Sequence, residues 1–278
     1  MAYVFPSEGS LDYFPCHYGS SRVTFRGPKQ ETRGPYVAML GGTETYGKFV
    51  PSPYAALVAK ALGMPVVNLG CVNAGLDVYM NEAELLQLAR RADAKVVQVV
   101  GAQNLTNRYY AVHPRRNDRF LGATPLLRGL FPKVDFTEFN FTRHMLVALQ
   151  RDSIDRFEVV AEELRAAWVL RMKALLSQLG GNVVLLWMAE TGPPQPERRV
   201  DMQRNPLLID AEMISAVQPS AAAYLEVVYS DEGLGDGCAG MVFAQMEAGA
   251  ASELPNPRLH VEVSNAMIPI LNAVLRRT

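Results

Sequence analysis

A hydroxyl follows a glycine pair in the stretch VAMLGGTETYGKFV (Val37 to Val50), and a nucleophile is the chemistry that a hydroxyl on such a turn could supply. Thr43 could attack an acyl carbon only with a base to take its proton and a third group to fix the base's tautomer. Its methyl group also stiffens χ1 and crowds the attack. The alternative is a turn threonine whose hydroxyl bonds the backbone of the following helix. Four histidines could supply the base. His17 is a neighbour of Cys16 in sequence alone, which makes no catalytic pair. His144 closes the run TEFNFTRH, which with the preceding Phe136 reads as a small core of Phe136, Phe139 and Phe141. His113 falls in RYYAVHPRRNDRF and His260 in NPRLHVEVSNAM.

The stretch around His113 gathers Arg108, Tyr109, His113, Arg115 and Arg116 beside Asp118 and Arg119. Arginine forks suit carboxylate, sulfate or phosphate, and tyrosine faces suit sugar rings, so these five residues form a candidate recognition loop. The alternative from the same residues is an Arg–Asp network that pins the insertion to its domain.

Neither a cofactor nor a metal is expected. Three cysteines stand without CxxC spacing, and HExxH and Walker A strings are missing. GDGCAG (Gly235 to Gly240) satisfies the glycine string of dinucleotide folds but lacks its strand context and reads as a loop. Asp231, Glu232 and Asp236 lack calcium-loop spacing. Lys and Arg total 27 against 28 acidic residues, so no global field points to nucleic acid or an anionic membrane. The sequence shows no export signal and no apolar run of membrane-spanning length, which makes the cytoplasm the expected compartment.

The elements that must position these groups alternate. YVAMLGG, PVVNLGCVNAG, AKVVQVVGAQN, NVVLLWMAE and AAYLEVVYS read as strands, mostly buried on both faces. SPYAALVAKALGM reads as a helix with Ser52 as N-cap and Pro53 at its first position; NEAELLQLARRA and DRFEVVAEELRAAWVLRMKALLSQLGG are further helices. SNAMIPILNAVLRR closes the chain as a helix with a kink at Pro269. The pattern predicts one α/β domain over residues 1–278: a three-layer αβα sandwich around a mainly parallel sheet of about five strands. Residues 1–33 read as an arm docked on the outside, and 108–145 as an inserted cap rich in aromatics and arginines. Ligands of such sheets gather at the strand C-terminal ends, here Gly41 to Thr45, Gly70 to Gly75 and Gly101 to Asn107.

Three glycine-bearing strand ends followed by a late histidine give a layout that resembles the SGNH (GDSL-like) hydrolase superfamily. GGTET stands where that family has Gly-Asp-Ser, with Thr43 at the serine position and Gly42 at the aspartate. NLGCVNAG puts Gly70 where a backbone N–H stabilises the oxyanion. VVGAQNLTN offers Gln103 and Asn104 for the side-chain donor. NPRLH places His260 at the histidine of Asp-x-x-His, with Pro257 in place of the aspartate. The chain also resembles a bacterial domain family of unknown function, through GGTETYGKFV, NLGCVNAG and HPRRNDRF. The resemblance implies an ester hydrolase or acyltransferase on a small polar ester of carbohydrate type: Thr43 attacks, His260 takes the proton, and Gly70 with Gln103 or Asn104 holds the oxyanion. Its alternative is a degenerate member that binds a glycan without turnover, such as an adhesin of a surface or particle assembled from the cytoplasm. A third reading is a scaffold whose aromatic arm and cap engage an assembly partner.

Overall fold

A computed structural model describes residues 11–197 and 199–276. β1 (Val37–Leu40) leads through the short turn helix α1 (Thr43–Tyr46) to α2 (Tyr54–Leu62), β2 (Val66–Asn68), α3 (Asp77–Met80), α4 (Ala83–Arg90) and β3 (Ala94–Gln98). The insertion then supplies the hairpin β4 (Tyr110–His113) and β5 (Arg116–Ala123), α5 (Pro125–Leu130) and the start of α6 (Thr142–Asp152). α7 (Ile154–Leu179), β6 (Val183–Ala189), α8 (Ala211–Val217), β7 (Ala223–Val228), α9 (Asp231–Gly235), α10 (Ala248–Ala251) and α11 (Pro257–Leu275) complete the described chain.

Five strands form one sheet in the order β2-β1-β3-β6-β7, and every pairing is parallel. Counted along the sheet, this is the 2-1-3-4-5 winding of flavodoxin-like folds. The apolar runs are explained by what each face meets. Ala38 and Leu40 of β1 join the core under α4 and α7, while Val37 and Met39 join the one under α2 and α11. Alternate residues therefore fill different cores, and no polar face is left to break the run. Among the described residues, no helix is long and apolar enough to cross a membrane.

Local signals set the ends of the two long helices that flank the sheet. Ser153 caps α7 by accepting the Arg156 N–H, and Gly180 ends it. Asn256 caps α11 by accepting the Leu259 N–H, with Pro257 at the first helical position. α11 thus starts seven residues before Ser264 and runs through Pro269. α2 departs from expectation: Pro53, not Ser52, is its N-cap, and no side chain of its own turn caps it. The Tyr54 N–H finds its acceptor in His260 Nδ1, 206 residues away.

Residues 1–10 of the expected arm lie outside the described residues. The rest docks on the loop after α1, where Arg26 donates to the carbonyls of Gly47, Val50 and Pro51 at 2.5, 2.8 and 2.8 Å. In the insertion Phe136 and Phe139 are buried, but Phe141 is 42% exposed and lies under the Arg119 guanidinium, 4.4 Å from ring centre to charge. Phe141 therefore sits at the rim of that small core and not within it.

Candidate functional site

A cleft of about 390 Å³ opens at the C-terminal ends of the strands. The turn after β1 contributes Gly42, Thr43 and Glu44, and the loop after β2 contributes Asn73 and Ala74. Gln103 and Asn104 come from the loop after β3, Thr142 and Arg143 from the start of α6. Close packing builds the turn. A Cβ at Gly41 would fall 2.0 Å from Thr45 Oγ1 and 2.4 Å from Gln98 Oε1, so only glycine fits. Buried Gln98 then holds the turn together: its Oε1 accepts from the Gly42 N–H at 2.9 Å and from the Thr45 hydroxyl, and its Nε2 donates to Glu44 at 2.9 Å.

Thr43 meets an amide, not a base. Its Oγ1 accepts the Asn73 N–H at 2.9 Å and donates to Asn73 Oδ1 at 3.1 Å. Asn73, in the left-handed region at φ 55°, passes the line on by donating Nδ2 to Asp118 Oδ2 at 3.1 Å. An amide oxygen accepts a hydrogen bond but does not take the proton, so this line orients the hydroxyl without activating it.

The expected oxyanion donors are differently engaged. The Gly70 N–H donates to Asn68 Oδ1 at 2.9 Å, and a Cβ at Gly70 would lie 2.3 Å from the Tyr46 nitrogen. Glycine is required there so that two backbones can pass closely, and Gly70 does not line the cleft. Asn104 donates to the Asn73 carbonyl at 3.0 Å and accepts the Thr142 hydroxyl at 2.7 Å, bracing the loop after β2 against α6. Gln103 also lines the cleft, and its buried Oε1 has no hydrogen-bond partner.

His260 lies outside the cleft, in the first turn of α11, 1% exposed and stacked on the Tyr54 ring at 5.7 Å between centroids. Its Nδ1 accepts the Tyr54 N–H at 3.0 Å, so in the neutral ring the proton sits on Nε2. A histidine base in a hydroxyl triad needs the opposite tautomer, with Nδ1–H held by a carboxylate and Nε2 free to accept. Burial, with the Arg26 charge second, pushes the imidazole down to about 3.

The five residues of the expected recognition loop also lie outside the cleft. Arg108 pairs with Glu163 at 3.4 Å and lies over the Tyr109 ring. His113 Nδ1 accepts the backbone N–H groups of Arg115 and Arg116 at 3.2 and 3.1 Å, which closes the hairpin turn. The pin that docks this hairpin is buried Asn117, not an Arg–Asp network. Its Oδ1 accepts the N–H groups of Gly75 and Val78, both at 3.0 Å, and its Nδ2 donates to the carbonyls of His113 and Pro114. From the hairpin only Asp118 reaches the cleft wall.

Sequence reasoning missed Asn73, Glu44, Glu253 and Arg143, all of which line the cleft. Asn73 had a signal, an asparagine between the glycines of NLGCVNAG. Arg143 had none, because its place depends on how the insertion folds back. Its guanidinium donates to Asn205 Oδ1, and among the described residues it forms no ion pair. Burial lowers its pKa, against the opposing pull of Glu253, Glu44 and Asp201.

Similar solved structures include a carbohydrate esterase family 2 enzyme with a carbohydrate-binding domain from Corynascus thermopiles (Myceliophthora fergusii), 14% identical, covering 90% of this chain and 69% of that one at a TM-score of 0.42. A lipase/acylhydrolase from Enterococcus faecalis is 13% identical over 88% and 97% of the two chains, with a TM-score of 0.41. A phospholipase A1 from Streptomyces albidoflavus NA297 is 13% identical over 86% and 98%, with a TM-score of 0.43. No curated protein sequence matches the chain. Residues 1–275 match the family described as Domain of unknown function (DUF6473), and the chain belongs to that family.

Proposed function

We propose that the cleft binds a polar, hydroxyl-rich ligand of carbohydrate type and holds it without acyl transfer. The observation that carries this reading is the hydrogen bond from the Tyr54 N–H to His260 Nδ1. It gives the only histidine placed to follow the family pattern the wrong tautomer for a base, inside a ring stack where protonation is strongly opposed. Thr43, held by Asn73 in both directions, then serves as a binding hydroxyl. Amides, carboxylates and one guanidinium in a concave site are the groups that hydrogen-bond sugar hydroxyls, and they leave orientation to the ligand's own pattern of donors.

Calorimetric titration with a panel of neutral oligosaccharides tests this reading. Val72, 42% exposed on the cleft wall and part of neither core, offers a control, because Val72→Trp adds bulk to that wall. At least one oligosaccharide binds the wild type, and Val72→Trp removes that binding while leaving the unfolding midpoint unchanged. Unaltered binding by Val72→Trp, or no binding across the panel, would overturn the assignment.

A further inference from the structure

The sheet ends differently on its two sides. β2 closes one side with three residues, Val66, Val67 and Asn68, all of them buried. β7 closes the other with six, and most of its side chains keep contact with solvent: Ala223, Tyr224 and Leu225 are half-buried, Glu226 is exposed and Val228 is 47% exposed. Parallel pairing with β6 uses one edge of β7. Among the described residues, Ala223–Val228 have no backbone hydrogen bond to any other strand or loop. The outer edge of such a strand is a row of unpaired N–H and C=O groups, which natural sheets blunt with proline, lysine, a bulge or brevity. AYLEVV has no proline and no lysine, and its register with β6 runs unbroken from Ala223 to Val228.

The strand is complementary to itself. Turned antiparallel about a two-fold axis through Leu225, it sets Leu225 against Leu225, Ala223 against Val227 and Tyr224 against Glu226. Apolar residues then meet apolar residues. The charges agree as well: each Glu226 carboxylate faces a hydroxyl donor, and the two carboxylates are staggered along the pair instead of opposed. Tyr224 and Glu226 already show their match within one copy, where the hydroxyl donates to the carboxylate at 2.9 Å. The strand's ends fit each other too. Val228, exposed at the end of β7, falls against Ala222 of the other copy. Ala222 lies in a surface groove of about 350 Å³ that Pro219, Ala221 and Tyr224 also line.

We infer that β7 is a homodimerisation edge, through which two copies of this chain join antiparallel into one continuous sheet with Val228 of each seated in the groove beside Ala222 of the other. An unrelated extended segment would satisfy the backbone groups, but it would leave the self-matching pattern from Ala223 to Val227 without a role. No residue of β7 lines the cleft, so the inference holds whatever the cleft binds.

Sedimentation velocity over a dilution series tests it. The wild type should sediment at twice the chain mass at the concentrated end of the series. Val228→Lys, a change at an exposed position, should weaken the dimer at least about tenfold, because it puts a charge into an apolar groove at both ends of the interface. Its circular dichroism should stay that of the wild type. Leu225→Cys reads the register, since residues opposite each other in an antiparallel pair lie about 4.5–5.5 Å apart between Cα atoms, within reach of a disulfide. Mild oxidation should link that variant into covalent dimers, while the wild type, with Cys16, Cys71 and Cys238, stays unlinked. A monomer throughout the series, a dimer unmoved by Val228→Lys, or a dimer that Leu225→Cys does not link would each overturn the proposal.

Discussion

Lowering the pH should destabilise this fold through His260 in a way that a single substitution can isolate. The folded protein holds the imidazole neutral, with its pKa pushed from 6.5 to about 3 by burial. The unfolded chain binds a proton near 6.5 that the folded chain refuses until about pH 3. Unfolding therefore takes up a proton throughout that window, and stability falls as pH drops below 6.5 and levels off near 3. The slope approaches about 1.4 kcal/mol per pH unit, which integrates to roughly 2.5 kcal/mol between pH 7 and pH 4.5. Carboxylates such as Asp77, raised by burial, titrate over part of the same range, so the wild type alone is not diagnostic. His260→Gln does not titrate there and keeps a side-chain acceptor for the Tyr54 N–H. Urea unfolding of both proteins at pH 7, 6, 5 and 4.5, with m-values checked for constancy, gives the comparison. The wild-type advantage over His260→Gln should shrink by roughly 2.5 kcal/mol across the series. Parallel curves for the two proteins would refute the buried neutral imidazole and the capping role with it.

Asn117→Ala should cost roughly 2–4 kcal/mol, because it orphans the N–H groups of Gly75 and Val78 and frees the hairpin, and hydrogen exchange at those two amides should speed up with it. Gly70→Ala should cost roughly 3 kcal/mol or more or prevent soluble expression, since its Cβ would lie 2.3 Å from backbone and not from a movable side chain. Chemical unfolding of that variant with a wild-type midpoint would contradict the close approach.

The sheet was legible because parallel strands covered on both faces leave unbroken apolar runs, and glycines such as Gly41 mark where each strand turns. What failed to show was everything fixed by distant partners. Ser52 carried the usual cap signal, yet the acceptor at the start of α2 is an imidazole from the last helix. The order of His260 in the chain was readable; its tautomer was not, since Tyr54 sets it. RYYAVHPRRNDRF drew attention through its arginines, whereas its structural weight rests on Asn117 and its only cleft residue is Asp118. Arg143 reaches the cleft through the path of the insertion, which no short string encodes.

The account's central claim, a carbohydrate cleft that binds without acyl transfer, meets its most direct test in one NMR tube. An O-acetylated disaccharide is incubated with the protein, and its line widths and its ester acetyl signal are followed together. The account predicts broadened ligand lines with acetate appearing no faster than in buffer. Acetate released faster than in buffer, at a rate that falls when Thr43 is changed to Ala, would contradict it and restore a hydroxyl nucleophile to the turn after β1.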